Sequence, residues 1–190
     1  MNKFLDMKRL LFILVFAATF VACERHSEHW DTLTEVESYI EERPDSALVV
    51  LEKIEVEELS SKEERAKHAL LLSMALDKNF VDKTDFEVLQ PAIDYYEDNG
   101  SATDKLRTYY YQGRIYQNAG NDAAAMTSYV NALDKGAESN DKLTKARTLV
   151  AQSTRYYSLM KWDKVYDVSS DAANYYFELG RSHGTDERRK

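Results

Sequence analysis

Apolar residues recur at steps of three and four positions along most of the chain, and no stretch sustains the alternation typical of a strand. This pattern predicts an all-α protein. The first two helices are expected over 31–42 and 45–55, with Pro44 at the turn because proline keeps the preceding residue out of a helix. Three apolar residues of the second helix share an inward stripe: Ala47, Leu51 and Ile54. These segments predict an N-terminal helical hairpin over 31–58.

Beyond this hairpin, residue types return at an interval of about 40 residues, which is typical of stacked helical units. Three residues at this spacing are preferred helix N-caps: Ser61, Ser101 and Asp141. Three more tolerate a left-handed backbone at a helix end: Gly100, Asn140 and Gly180. We call a set of residues at this spacing a column, and further columns also hold related residue types: Lys67/Arg107/Arg147, Ser73/Gly113/Ser153, Leu76/Tyr116/Tyr156 and Ala92/Ala132/Ala172. The columns predict three helical pairs, over 61–99, 101–138 and 141–179.

The middle pair has an ordered set of large, small and aromatic residues: Tyr109, Gly113, Tyr116, Ala125, Tyr129 and Ala132. This order resembles the tetratricopeptide repeat (TPR). In this arrangement Gly113 and Ala125 let the two helices approach closely, and the tyrosines fill the space around the contact. The turn is expected over 119–122. The resemblance implies a TPR-like α-solenoid of antiparallel helical hairpins, with three repeats over 61–180. A helical bundle without repeats is the alternative fold.

The flanking pairs match the same frame less completely. The third pair matches it with Leu149, Ser153, Tyr156, Val165, Ser169 and Ala172. The first pair matches it with Ser73, Leu76, Leu89 and Ala92. Pro91 is expected to kink or restart the second helix of the first pair.

The TPR resemblance implies that the first helix of each pair lines a concave face. The middle pair would place five side chains there: Arg107, Tyr110, Arg114, Gln117 and Asn118. One period earlier the positions hold Lys67, Leu70, Met74, Asp77 and Lys78, and one period later they hold Arg147, Val150, Thr154, Tyr157 and Ser158. The ladder of Lys67, Arg107 and Arg147 is expected to bind a peptide segment bearing carboxylates. The alternative is that these residues pair with acidic neighbours such as Asp104 or Asp141.

The N-terminal residues indicate an export signal. Lys8 and Arg9 precede an apolar run from Leu10 to Ala22, which is shorter than the roughly 20 residues that span a bilayer. This is typical of a helical signal peptide over 1–22, starting at Met1 or Met7. The segment 20–23, Phe-Val-Ala-Cys, resembles the lipobox of bacterial lipoproteins.

The lipobox resemblance implies cleavage before Cys23 and attachment of lipid, including acyl groups such as palmitate, to that residue. Several acyl chains can hold a protein on a membrane without a spanning helix. The alternative is that Cys23 is an ordinary small residue near an ordinary cleavage site. Residues 23–30 are expected to form a polar tether between the lipid and the fold.

Charge narrows the choice of partners. The formal net charge of the chain is −8. Loss of residues 1–22, which contain three basic residues and one acidic residue, would lower it to −10. Such a charge argues against binding nucleic acid and against lying flat on anionic lipid. A single cysteine also excludes an intramolecular disulfide.

No motif for catalysis or cofactor binding emerges from the sequence. There is no nucleophile motif, glycine-rich phosphate loop or pair of carboxylates at a spacing typical of acid–base chemistry. His26 and His29 have a spacing that could hold a metal, but two imidazoles in a polar tether favour a flexible linker. The tyrosines are expected to pack between helices rather than to bind a sugar. The sequence therefore predicts a non-catalytic protein without metal or cofactor.

Gly180 is expected to close the last hairpin and 181–190 to form a polar tail. The surface near Tyr175, Tyr176 and Phe177 would then stay uncovered, although stacked repeats normally end in a polar face. This surface would dock a partner or another copy, or the chain would be a shortened relative of a longer protein.

These features together predict a lipid-anchored protein of the bacterial cell envelope that acts as a scaffold for an unidentified protein or peptide partner. One alternative is the sensor or regulatory part of a longer TPR signalling protein, which an in-frame continuation past Lys190 would indicate. The other is a nutrient-binding outer-membrane lipoprotein, which would need a long additional ligand-binding part.

Overall fold

The computed structural model describes the backbone of residues 28–186 and the side chains of residues 29–180. Over that range the chain has eight α-helices and no strand, which confirms the all-α prediction. The helices are α1 (Glu28–Tyr39), α2 (Pro44–Leu51), α3 (Lys62–Lys78), α4 (Gln90–Asn99), α5 (Ala102–Asn118), α6 (Asp122–Lys135), α7 (Lys142–Ser158) and α8 (Trp162–Asp186). A 3-10 turn at Val56–Glu58 precedes α3. The predicted signal peptide over 1–22, Cys23 and the tether as far as residue 27 lie outside the described residues.

Each helix packs against the next along the chain, and the odd-numbered helices also contact one another in the order α1, α3, α5, α7. A continuous apolar core runs through α1 to α6. It includes Ala47 and Leu51 of the expected stripe, which are fully buried, and Ile54, which follows α2, packs against this core. The first helix of each hairpin therefore buries its apolar face partly against the second helix of the same hairpin and partly against helices of the neighbouring hairpins.

The predicted N-cap column is confirmed at all three positions. Ser61 Oγ accepts a hydrogen bond of 3.0 Å from Glu64 N, and Ser101 Oγ accepts one of 3.2 Å from Asp104 N. Asp141 Oδ1 accepts the equivalent bond of 3.0 Å from the backbone N–H of Thr144. Side-chain oxygens satisfy N–H groups that a helix start otherwise leaves without a partner. The three helices α3, α5 and α7 thus begin at the same repeat position by the same mechanism.

The predicted column of left-handed helix ends is wrong. Gly100 is extended, with φ −73° and ψ 146°, and a side chain there would crowd Tyr96, since an added Cβ would lie 2.9 Å from Tyr96 Cβ. Asn140 has no positive φ. Gly180 lies inside α8, which continues to Asp186, so the polar tail predicted over 181–190 begins as helix. Glycine costs a helix interior only about 1 kcal/mol relative to alanine, which a long packed helix can absorb.

The left-handed residues instead follow α3, α5 and α7, at Phe80, Gly120 and Met160. Each belongs to the same closing motif. The residue after the left-handed one donates its N–H to the helix carbonyl five positions before it. These bonds are Val81 N to Leu76 O at 2.9 Å, Asn121 N to Tyr116 O at 2.8 Å and Lys161 N to Tyr156 O at 3.0 Å. Such 6→1 bonds end helices where one residue adopts the left-handed conformation. Three hairpins therefore turn at positions about 40 residues apart.

Other boundaries differ from the sequence prediction by a few residues. Helix α1 starts at Glu28 and includes His29 and Trp30, which the sequence pattern places in the tether. Helix α2 ends at Leu51, before the expected residue 55. Helix α4 starts at Gln90 with Pro91 in its first turn, so of the two expectations for Pro91 the restart of a helix is confirmed and the kink is not.

Replacing Phe80 with glycine is expected to raise the free energy of unfolding by about 0.5–1 kcal/mol. Phe80 is 92% exposed at φ 61°, so its ring adds little packing while its Cβ strains a left-handed backbone. The gain is smaller than the strain removed, because glycine also loses more backbone freedom on folding. Urea unfolding followed by circular dichroism measures the change. An unchanged or lower stability would mean that Phe80 is not strained.

Candidate functional site

The residues expected to pack the repeats lie at contacts between hairpin helices. In the middle hairpin an added Cβ at Gly113 would lie 2.6 Å from Tyr129 Cδ1, so α5 and α6 touch at this glycine. Ala125, Tyr129 and Ala132 are fully buried, whereas Tyr109 and Tyr116 are half-buried. The close approach of α5 and α6 therefore depends on the absence of a side chain at Gly113.

The flanking hairpins place different residues at the same contact. In the last hairpin Ser153 and Ser169 form a hydroxyl–hydroxyl hydrogen bond of 2.7 Å. Tyr156 is half-buried and Ala172 is buried. The α3–α4 hairpin places Ser73 and Leu89 at these positions, both buried. A small residue on the first helix thus lies at the contact with the second helix in the middle and last hairpins, and the α3–α4 hairpin has a small buried residue at the same repeat position.

The expected basic ladder is neutralised by carboxylates of the same chain. Lys67 Nζ lies 2.6 Å from Glu37 Oε2. Arg107 Nη1 lies 2.7 Å from the other oxygen of Glu37, and Arg107 Nε donates to Asp141 Oδ2 at 2.6 Å. The Arg107–Asp141 pair was the alternative that the sequence left open. Asp104, the other candidate, instead caps α5.

Arg147 is held in the same way. Its two terminal nitrogens donate to the two oxygens of Glu41 at 3.0 and 2.9 Å, and Lys78 Nζ binds the same carboxylate at 2.6 Å. Glu41 follows α1, so the first hairpin is tied to α7 across 106 positions of sequence. We call the set of Glu37 and Glu41 with Lys67, Lys78, Arg107 and Arg147 the acidic clasp.

The clasp lowers the pKa of its carboxylates. Burial raises the pKa of Glu37, but the ion pairs with Lys67 and Arg107 outweigh it, and the net pKa lies below the ordinary 4.5. The pKa of Glu41 is lowered in the same way, where burial is outweighed by Arg147 and Lys78. Both glutamates are therefore charged at neutral pH, and paired charges link the N-terminal segment to α3, α5 and α7.

An open hollow remains beside the clasp, formed by α5, α7 and α8. Its volume is about 180 Å³. It is lined by Tyr110, Arg114, Gln117, Arg147, Val150, Ala151, Thr154 and Tyr176. Six of these positions belong to the groove predicted from sequence. Ala151 and Tyr176 were not predicted. Ala151 is one residue beyond the groove position predicted at Val150, and Tyr176 belongs to α8, the second helix of its hairpin.

Polar atoms at this hollow already have internal partners. Arg114 Nε donates to Asp77 Oδ1 at 2.8 Å. Gln117 Oε1 accepts a hydrogen bond of 2.8 Å from the Tyr129 hydroxyl. Tyr110 is almost fully buried, and burial raises the pKa of its hydroxyl to about 12. The hollow therefore presents fixed, neutralised side chains rather than bare positive charge.

Two other predicted groove residues lie apart from this hollow. Asn118 Nδ2 donates to the Lys83 carbonyl at 3.2 Å and so holds the loop after α3. Tyr157 is exposed and its ring meets Trp162 edge-on, with 5.2 Å between ring centroids. Tyr157 lines a second, mostly apolar hollow of about 450 Å³ between α7 and α8, which shares Val150, Thr154 and Tyr176 with the first.

Two further hollows recur at equivalent positions of successive hairpins. Their volumes are about 420 and 560 Å³. Lining residues correspond at the repeat interval: Ile93/Leu133, Lys105/Lys145, Tyr109/Leu149 and Asn131/Asp171. Because the hollow persists while its side chains change, it follows from how the hairpins stack and does not by itself indicate a ligand.

The histidines lie away from these hollows. His68 is buried, and its Nε2 lies 2.9 Å from the Leu51 carbonyl oxygen. Burial lowers the pKa of His68, so it is neutral and donates to that oxygen. His29 Nε2 lies 3.7 Å from Glu58 Oε2, and His26 lies outside the described residues. Across residues 28–186 no three side chains of the metal-ligating types come together.

Comparison with known proteins gives no match, whether with protein-family models, curated sequences or solved structures. Among the helices that the structure describes, none combines the length and apolar character needed to cross a bilayer.

Proposed function

We propose that this protein is a non-catalytic interaction scaffold of the bacterial envelope, built as a TPR-like solenoid and held on a membrane by lipid on Cys23. Support for the solenoid comes from geometry that repeats in register. Helices α3, α5 and α7 start with the same cap and end with the same left-handed turn, and each contacts the next. No catalytic role is part of the proposal, because the sequence carries no motif for one.

The docking site of the proposed scaffold is the hollow formed by α5, α7 and α8. The observation that carries this assignment is that the predicted groove positions Arg114, Arg147 and Val150 line one open hollow. The basic side chains at this hollow already form ion pairs within the chain. An incoming carboxylate would therefore have to share Arg147 with Glu41 or Arg114 with Asp77. The site therefore favours a peptide that combines a carboxylate with apolar side chains for the adjoining hollow.

The proposed anchor is supported by the apolar run that ends at Cys23. Helix α1 begins at Glu28, so the intervening chain can reach at most about 18 Å even when fully extended. A lipid on Cys23 would thus hold the first hairpin close to the bilayer. Labelling cells with an alkyne analogue of palmitate tests this part separately, since the wild-type chain should take up the label and a Cys23→Ser variant should not.

Photo-crosslinking in cells tests the docking site. A photoreactive amino acid at Thr154, which is exposed and lines both hollows, is expected to capture a discrete partner protein. A second change, Val150→Glu, should reduce this product by about tenfold or more, because it places an unpaired carboxylate within the contact.

The matched control is Val130→Glu on α6. Val130 is 49% exposed against 45% for Val150 and lines neither hollow, so the control changes charge equally without touching the site. Equal loss of product in both variants, or no product at all from residue 154, would remove the docking assignment. The palmitate result does not depend on either outcome.

A further inference from the structure

Of the two hollows that recur at successive hairpins, the earlier one has polar groups without partners. It has a volume of about 420 Å³ and lies between α4, α5 and α6, and we call it the α4–α6 hollow. Its counterpart one repeat later, of about 560 Å³, lies between α6, α7 and α8, and we call it the α6–α8 hollow. Because the same packing of hairpins produces both, a comparison of matching repeat positions shows what is particular to the first.

A lysine lines each hollow at the same repeat position. In the α6–α8 hollow Lys145 is buried, and its Nζ donates to the Ala137 carbonyl oxygen at 2.8 Å. In the α4–α6 hollow Lys105 is half-buried and forms no hydrogen bond or ion pair within residues 29–180. The residue at the repeat position of Ala137 is Glu97, which lines the α4–α6 hollow too. Among the described residues, this hollow therefore has one cation and one anion that are not paired with each other.

A threonine occurs at one repeat position beside each hollow. Thr148 is fully buried, and its hydroxyl donates to the Thr144 carbonyl oxygen at 2.7 Å within the same helix. Thr108 is only 5% exposed, but its Oγ1 has no hydrogen-bond partner in the described part of the chain. Thr108 lines the α4–α6 hollow, whereas Thr148 does not line the α6–α8 hollow. A buried hydroxyl without a partner is unfavourable, so a molecule that accepts a hydrogen bond from Thr108 would remove this cost.

The α5 side of the hollow presents hydrogen-bond donors. Ser128 Oγ donates to Gln112 Oε1 at 3.3 Å, and both residues line the hollow. The amide oxygen of Gln112 is thus engaged, and its NH₂ group is left to donate. Lys105, Thr108 and Gln112 follow one another at three and four positions on α5, which places them on one face of the helix. This face therefore offers an ammonium, a hydroxyl and an amide NH₂ to a carboxylate, which accepts hydrogen bonds at both of its oxygens.

The α4 side of the hollow presents the opposite charge. Burial and the nearby carboxylate of Glu97 raise the pKa of the Tyr109 hydroxyl, which belongs to another residue of the lining. The Glu97 carboxylate is thus close to the hollow, where it can accept from a donor such as an ammonium group. Apolar surface comes from Ile93, Tyr116 and Ala124, which also line the hollow. The hollow therefore combines donors on α5, a carboxylate on α4 and apolar walls.

We propose that the α4–α6 hollow binds a free α-amino acid with an apolar side chain. Its α-carboxylate accepts from Lys105, Thr108 and Gln112. Its α-ammonium donates to Glu97, and its side chain lies against the apolar walls. Because the two charged residues of the hollow cancel, a simple anion or cation would leave one of them unmatched, whereas a zwitterion satisfies both. Sites for small molecules have volumes of about 300–1,000 Å³, and the hollow lies at the lower end of that range, as a ligand of this size requires.

Isothermal titration calorimetry of the purified full-length protein with leucine tests the site. Leucine should bind, and two analogues that each lack one of its charges, leucinamide and 4-methylpentanoate, should bind at least about tenfold more weakly. Each analogue leaves one charged residue of the hollow without a partner. Either of two results would overturn the proposal. One is the absence of binding at about 10 mM leucine, which would nearly saturate a site with a Kd of about 1 mM. The other is an analogue that binds as tightly as leucine.

A lysine substitution locates the carboxylate of the ligand. Lys105→Gln should weaken leucine binding by about tenfold, because it removes a charge-assisted hydrogen bond. The control, Lys53→Gln, makes the same exchange at an exposed residue that does not line the hollow, and it should leave binding unchanged. Equal affinities in the two variants would place the carboxylate elsewhere and overturn the assignment.

Thr108→Val separates a role in binding from a role in packing. It removes the unpartnered hydroxyl and keeps the shape of the side chain, so it should raise the thermal stability of the unliganded protein while weakening leucine binding about tenfold. Thr148→Val is the matched control. It should lower thermal stability, because it removes the hydrogen bond to the Thr144 carbonyl, and it should leave leucine binding unchanged. Wild-type affinity for leucine in Thr108→Val would overturn the proposal.

The amino-acid site and the proposed docking site can be tested separately. The α4–α6 hollow shares no lining residue with the two hollows assigned to a peptide. Failure of leucine to bind would therefore leave the crosslinking result at Thr154 as it stands, and loss of that crosslink would leave the calorimetric result as it stands.

Discussion

Replacing Gly113 with alanine is expected to lower the free energy of unfolding by about 2–3 kcal/mol, the upper range for an overpacked core. The new Cβ would lie 2.6 Å from Tyr129 Cδ1. The ring cannot move aside easily, because Tyr129 is fully buried and its hydroxyl is bound to Gln117 at 2.8 Å. Helices α5 and α6 would have to separate. Urea unfolding monitored by circular dichroism measures the loss.

Gly180→Ala is the matched control for this substitution. It makes the same chemical change inside a helix where the added Cβ meets nothing within 4 Å. It should therefore raise stability by about 0.5–1 kcal/mol through helix propensity. If Gly113→Ala behaved like Gly180→Ala, the close contact between α5 and α6 would be absent.

A second background shows whether Tyr129 is the cause. The α3–α4 hairpin has Ser73 and Leu89 at the equivalent positions, both buried, so a small residue and a leucine already occur together at this point of the repeat. In a Tyr129→Leu variant, adding Gly113→Ala should cost little further stability, because the shorter side chain leaves room for the methyl group. Contacting residues show such non-additivity, whereas independent ones do not.

The starts of the helices could be predicted from sequence because their cause is local. A Ser or Asp side chain needs only the N–H three residues ahead, and the columns at Ser61, Ser101 and Asp141 showed this directly. The turn over 119–122 was also predicted and is confirmed, but the left-handed residues at the other two helix ends were missed because their sequence gives no such signal. Phe80 and Met160 are not residues that favour a left-handed backbone, so only Gly120 gave a local signal for that column.

The repeat frame placed Arg114, Arg147 and Val150 on one side, and the three residues line one hollow in the structure. The acidic clasp was not predicted. Its carboxylates lie 70 and 106 positions from the arginines that they bind, and they precede the periodic columns. The pairing depends on how successive hairpins pack on one another over this separation, and no local sequence pattern specifies that packing.

Neutralising both clasp carboxylates with Glu37→Gln and Glu41→Gln is expected to lower the free energy of unfolding by about 2–4 kcal/mol at pH 7. Each glutamate binds two cations at 2.6–2.9 Å. The pairs are intermediate between exposed ones, which contribute under about 1 kcal/mol, and buried ones, whose disruption costs about 3–5 kcal/mol. Since each carboxylate is about a third exposed, at 35% and 36%, we expect about 1–2 kcal/mol for each.

Two neighbouring glutamates provide the control for this charge change. Glu35 and Glu42 are exposed residues of the same segment, and Glu35→Gln with Glu42→Gln removes the same two charges. The control pair should stay within about 0.5 kcal/mol of the wild type. A loss equal to that of the clasp variant would mean that net charge, not the ion pairs, sets the stability.

The pH dependence separates the ion pairs from packing. The pKa values of Glu37 and Glu41 lie below 4.5 in the fold, because their cations outweigh burial. A carboxyl with a lowered pKa binds fewer protons in the folded than in the unfolded state, so its stabilisation is present above the unfolded pKa and is lost as pH falls through the folded pKa. The difference between wild type and the clasp variant should therefore be full at neutral pH and shrink below about pH 4.5. If that difference were the same in acid, the glutamines would act by altering packing, and the link between the first hairpin and α7 would not be electrostatic.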